Sequence, residues 1–170
     1  MKINKFWFWF LSFTWGLPMT LIGCFVALVL ILTKHKPKKW LYGYYFEVGK
    51  NWGGFEMGPF FVYNNPSNEH GRNHEFGHGI QNCFFGPFTP FVISIPSAIR
   101  YWYREYLVKV KKKKYSDLPD YDSIWFEGQA TRIGEKFMRR LETLRDGDNY
   151  KVIGKAKPTE GLGGADEVHT

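Results

Sequence analysis

The sequence predicts an α+β protein: an N-terminal transmembrane helix followed by a small, mainly helical domain with a short β-hairpin. Three observations carry this reading. No charged side chain occurs between Lys5 and Lys34. Two runs rich in aromatic and β-branched residues flank a glycine-containing turn between positions 40 and 63. Helical spacing with capping signals then recurs over 69–82 and 123–145. At 170 residues the chain has room for one modest domain, and no internal repeat is present.

The apolar stretch over residues 6–33 exceeds the roughly 20 residues that a helix needs to cross a bilayer core. Trp7, Trp9 and Trp15 lie in its first half, where the outer rings suit the membrane interface. Pro18 predicts a kink, which membrane helices tolerate. A cleaved signal peptide would be shorter and would end in small residues. Leu21-Ile22-Gly23-Cys24 resembles a lipoprotein box, but the apolar run continues beyond Cys24. A retained single-pass anchor is the expectation, with residues 1–5 as a tail. Lys34, Lys36, Lys38 and Lys39 outnumber Lys2 and Lys5, so the positive-inside rule puts the C-terminal side in the cytoplasm. Cys24 and Cys83 fall in separate elements, lack metal-site spacing and read as apolar fillers rather than a disulfide.

After the anchor, residues 44–48 and 60–63 read as strands joined through a turn at 50–54. Pro59 predicts an edge strand or a bulge. Residues 64–68 form a loop whose Ser67 or Asn68 can cap a helix over 69–82. Gly77 and Gly79 weaken that helix in isolation and predict a close backbone approach. Residues 84–99 are apolar but carry Pro87, Pro90 and Pro96, so the segment reads as interfacial or packed on the anchor. Tyr101, Trp102, Tyr103 and Tyr106 suit a headgroup belt, and Lys109 with Lys111 to Lys114 suits anionic lipid. Residues 117–122, with Pro119, read as a capping region for the helix over 123–145. The tail over 147–170 is expected to be flexible, with 161–170 disordered.

The net charge of +7 raises nucleic acid or lipid as partners. Zinc-finger spacing, a glycine-rich phosphate loop and a ribonucleoprotein signature are all missing, so nucleic acid is not expected. The lysines flanking the apolar segment favour the lipid bilayer.

The chemistry concentrates in His74-Glu75-Phe76-Gly77-His78. On a helix, His74 and His78 stand one turn apart on one face and can share an ion. Glu75 projects beside that ion, where it can take a proton from a zinc-bound water. A catalytic zinc site needs a third protein ligand and an open position. Three candidates present themselves: Glu127 on the second helix; His70, one turn before His74 but displaced along the axis; and Asp120 or Asp122, which capping already explains.

A helix with H-E-x-x-H followed by a helix with E-x-x-A (here Glu127-Gly128-Gln129-Ala130) resembles the gluzincin pattern of zinc metallopeptidases. It looks most like the membrane-bound group that includes the CAAX prenyl protease and the bacterial heat-shock membrane protease. The resemblance covers two windows, 70–81 and 125–134. The layout is also similar to small bacterial membrane proteins with G-P and I-P-S segments, here Gly86-Pro87 and Ile95-Pro96-Ser97. The resemblance implies zinc bound by His74, His78 and Glu127, and Glu75 as general base. Thr131 departs from the family, which has an aspartate there to accept the N–H of a ligand histidine.

The expectation is therefore a membrane-anchored zinc metallopeptidase, its metallopeptidase-like domain spanning 40–146, acting on peptide or membrane-protein substrates. Tyr121, Arg132 and His70 are the candidate oxyanion donors. The alternative is a non-catalytic membrane protein with a structural or vestigial zinc site.

Overall fold

In the computed structural model, which describes residues 3–50, 53–65 and 68–153, the apolar N-terminal stretch folds as two helices. Helix α1, Lys5–Phe13, starts at Asn4, whose side chain accepts from Trp7 N. Helix α2, Leu17–Leu32, departs at 94° from it. This corrects the expected single transmembrane helix over 6–33: among the described residues no one helix is long and apolar enough to cross a membrane. Pro18 opens α2 instead of kinking a longer helix, because the first turn has no use for the N–H that proline lacks. Polar contacts hold the bend. Thr20 Oγ1 donates to Ser12 O at 2.7 Å, and Asn82 Nδ2 donates to Gly16 O at 3.3 Å.

Four strands follow: β1 Lys38–Trp40, β2 Gly43–Glu47, β3 Gly54–Met57 and β4 Phe60–Tyr63. They form one mixed sheet in the order β1-β2-β4-β3. The two strands anticipated as partners in a hairpin, β2 and β4, instead pair in parallel, with Tyr44 opposite Phe60 and Glu47 opposite Tyr63. The hairpins are β1–β2 and β3–β4, the latter turning at Gly58, whose φ of 73° favours glycine. Pro59 marks no edge. It precedes β4, which lies inside the sheet, and its carbonyl accepts from Tyr44 N at 3.0 Å. The open edge beside the functional cleft is β3.

Met19 and Ala27 of α2 pack with Phe46, Met57 and Val62 on one sheet face. On the other, Tyr45, Phe61 and Tyr63 pack with Trp40, and the Arg72 guanidinium sits 4.1 Å from the Trp40 ring centroid. A third cluster joins Phe8, Tyr42, Phe76 and Phe137. The N-terminal helices thus share the core with the sheet.

Helix α3, Glu69–Phe85, is capped by Asn68, whose side chain accepts from Gly71 N at 3.0 Å. Nearly all of it beyond Gly71 is buried, although its sequence is polar. Two short helical turns over 86–94 reverse the chain into helix α4, Ile95–Lys109, at 115° to α3. Residues 84–99 therefore fold back against the domain. Phe84, Phe88, Phe91, Ile95 and Ile99 face outward.

A turn at Tyr121–Ser123 leads into helix α5, Trp125–Ile153. This helix runs past the expected end at 145, to Ile153. The expected disorder over 161–170 lies outside the described residues. The chain divides into two units, Met1–Met138 and Arg139–Thr170, and the sheet and the site belong to the first. Both cysteines are free thiols.

Candidate metal centre

Helix α3 presents His74 and His78 one turn apart, and α5 presents Glu127 from its first turn. The close approach of these two helices is made by glycine. A Cβ on Gly77 would lie 2.0 Å from Ala130 O, and one on Gly134 would lie 1.8 Å from Asn73 O. No side chain fits at either position, so each helix backbone seats against the other.

The result is a triangle of donor atoms. His74 Nε2, His78 Nε2 and Glu127 Oε2 are each 3.1 Å from the other two. Tetrahedral zinc with bonds of about 2.0–2.1 Å places its donors about 3.3 Å apart, so the triangle has the size that such an ion requires. Glu127 is fully buried, and its Oε1 has no hydrogen-bond partner.

The surrounding hydrogen bonds determine where the imidazole protons sit. Gln81 Nε2 donates to Phe126 O at 2.9 Å, which fixes the amide orientation and leaves Gln81 Oε1 facing His78 Nδ1 at 2.7 Å. His78 must donate there, so its Nε2 is an unprotonated lone pair when the ring is neutral. Thr131 Oγ1 donates to Asp122 Oδ2 at 2.7 Å, so its lone pair accepts from His74 Nδ1 at 2.8 Å. The Nε2 of His74 is then bare as well. Three lone pairs converge in a buried space, an arrangement that repels itself unless a cation lies among them. The group His74, His78 and Glu127 could hold a metal ion.

Without a metal, a proton takes that role. Burial opposes a charge on His78, but the Glu127 hydrogen bond and the charges of Glu127, Glu75 and Glu56 push its pKa up to about 9. Burial also opposes ionisation of Glu127, yet the His74 and His78 hydrogen bonds hold its carboxyl well below the usual range.

Glu75 is buried on the wall of a cleft of about 320 Å³ that reaches His74, His78 and Glu127. Burial raises its pKa. His74 and His78 pull the other way, and the Glu127 charge raises it further. The edge strand β3 lines the same cleft with Gly54, Phe55 and Glu56.

The remaining candidates separate clearly. His70 stays on the cleft wall but pairs with Glu135, its Nδ1 2.8 Å from Oε1, and is no part of the donor triangle. Asp120 contributes a carbonyl to Arg100. The Asp122 side chain instead accepts a hydrogen bond from the Thr131 hydroxyl. Arg132 is exposed and does not line the cleft. Tyr121 does line it, with its hydroxyl 3.1 Å from Ser97 Oγ.

Two contributors, Gln81 and Glu56, escaped the sequence reading, and a third, Asp122, was weighed there as a ligand and read as a cap. Gln81 stood one helical turn after His78 and was open to the same spacing argument. Asp122 and Glu56 carry no local signal of their roles. Glu56 is buried beside the cleft, and burial, partly offset by His78 and the Gly58 N–H and reinforced by Glu75, pushes its pKa up to about 8.

Comparison of the chain with protein-family models, curated proteins and solved structures finds no match.

Proposed function

We propose that the chain is a membrane-associated zinc metallopeptidase of gluzincin type. The observation that carries this reading is the convergence of three metal-ligand atoms, from His74, His78 and Glu127, on one point, with Glu75 on the wall of the adjoining cleft. A two-histidine, one-carboxylate set with room for a further ligand is a common catalytic zinc arrangement. When bound, the ion supplies Lewis acidity that activates water and polarises a scissile carbonyl.

The chain's own residues do the rest. Glu75 takes the proton of the attacking water at its carboxylate and passes it to the leaving amine. Its raised affinity for a proton, due first to burial, suits both halves of that transfer. Tyr121 offers its hydroxyl to the developing oxyanion. Burial, followed by the Glu127 charge, pushes its pKa up to about 12, so it remains a donor at neutral pH. Thr131 and Gln81 hold His74 and His78 by Nδ1. The Asp122 carboxylate behind Thr131 provides the negative charge missing at position 131.

The membrane reading is supported by the outward apolar face of α1 and α2, including Phe6, Phe10, Leu21, Phe25 and Leu32, and by the lysines that follow it. The lysines after the apolar face favour the anionic cytoplasmic leaflet as the surface it meets, and the bilayer as partner favours peptide or membrane-protein substrates.

A second reading, a structural metal without catalysis, is favoured by how little of the donor triangle is exposed. The two are separated with the purified full-length chain, unfolded membrane-protein substrates and Glu75→Gln. The variant is expected to keep its zinc while hydrolysis falls about 10²- to 10⁴-fold. Undiminished hydrolysis, or none in the wild type, would leave only the structural metal.

A further inference from the structure

The segment between the two metal-binding helices lines the cleft with Ser94, Ser97 and Tyr101, and grips the turn before α5 through Arg100 and Arg104. Arg100 of α4 extends its Nη2 to three acceptors on the Tyr121–Ser123 turn and its approach: Asp120 O at 2.7 Å, Tyr121 O at 3.0 Å and Ser123 Oγ at 2.9 Å. Its guanidinium carbon lies 5.6 Å from the Tyr121 ring centroid. Arg104, one turn further along α4, donates to Pro119 O and stands 5.7 Å from the same ring. The turn itself contributes a bond from Ser123 N to Asp120 O at 3.0 Å.

This turn carries two residues that face the site. Tyr121 lines the cleft, and Asp122 begins the relay through Thr131 to His74 Nδ1. We infer that Arg100 is a positioning residue for the metal centre: it holds the Tyr121–Ser123 turn so that Asp122 orients His74 through Thr131. The inference rests on the metal reading of His74, His78 and Glu127, and it adds a connection from α4 that the ligand set does not contain. A planar guanidinium can serve several acceptors at fixed angles, whereas an ammonium on a flexible stem cannot hold the same pattern.

The test is titration of the full-length, metal-free chain with Co²⁺, followed by the visible absorption of the bound ion. Arg100→Gln is expected to weaken Co²⁺ binding about tenfold and to alter the spectrum, the low end of what outer ligand-orienting groups contribute. Asp122→Asn is expected to weaken it similarly. The double variant is expected to bind no more weakly than Asp122→Asn alone, because both changes act on one chain of contacts. Wild-type affinity and spectrum in Arg100→Gln, or losses that multiply in the double variant, would overturn the inference. If Arg100→Gln does not fold, Arg100→Lys decides: weakened binding supports the inference and wild-type binding overturns it. Failure of the wild type to take up Co²⁺ would instead remove the underlying metal reading.

Discussion

At the scale of single residues, the centre depends on where protons are held. Thr131 bridges Asp122 and His74, donating to one and accepting from the other. Thr131→Val keeps the shape and removes both bonds. Metal affinity, measured by chelator competition, is expected to fall about 10- to 100-fold. Unchanged affinity would show that the bridge does not orient His74. Protonation also sets a pH dependence. In the metal-free fold the His78 pKa is pushed up to about 9 from 6.5, against burial, by Glu127, Glu75 and Glu56, and burial pushes that of Glu56 up to about 8 from 4.5. Both groups bind protons more tightly when folded, so their contributions are complete below the ordinary values and are lost as pH rises through the folded ones. Melting of the metal-free protein is therefore expected to move to lower temperature between pH 5 and 9. Metal-loaded protein should not share the His78 part of that loss, since the ion displaces its Nε2 proton. A metal-free Tm that rises across this range would contradict the assignment.

At the scale of elements, the site exists because α3 and α5 cross at backbone contact. Gly77→Ala would drive a methyl group into the Ala130 carbonyl, an overpacking that costs about 1–3 kcal/mol or more. Gly79→Ala meets Gly58 O only at 3.0 Å and gains up to about 1 kcal/mol of helix propensity, so it is expected to be far milder. Equal destabilisation of the two variants in urea would argue against the crossing. The two helices and the histidine pair were legible in the sequence because spacing and capping are local, whereas Glu127 stood among several candidates until the resemblance singled it out. Gly77 was legible as a close approach, but its partner backbone was not. The sheet was read less well. Runs rich in aromatic and β-branched residues describe β2 and β4 equally whether they pair in parallel or antiparallel, and the inserted strand β3 overlaps the glycine-containing turn read between them. The bend between α1 and α2 was hidden for a similar reason: an uncharged apolar run carries no sign that Thr20 bonds Ser12 across the bend or that Asn82 holds it from α3. Asp122 read as a capping residue because its relay runs through Thr131 to another helix.

At the scale of the whole molecule, the N-terminal helices are both core and outer surface. Phe8 is 1 % exposed and Met19 is 2 % exposed, whereas Phe6 and Phe25 face outward. An anchor attached only by a linker could be removed without harm. Deletion of residues 1–33 is instead expected to abolish cooperative unfolding, because α2 supplies part of the core on one sheet face. A truncated chain that is soluble and melts cooperatively would contradict this packing. In the folded protein the outward apolar face and the lysines beyond it predict co-flotation with anionic vesicles, weakened by salt. Recovery of the full chain only in the lipid-free fraction would contradict the membrane reading.

The metal centre stands or falls on whether His74, His78 and Glu127 share one metal ion. Elemental analysis of the purified chain, wild type against Glu127→Ala, tests it most directly. The prediction is about one zinc per wild-type chain and little in the variant, because the ion loses one of only three protein ligands. A wild type free of metal, or a variant that retains the wild-type amount, would contradict it.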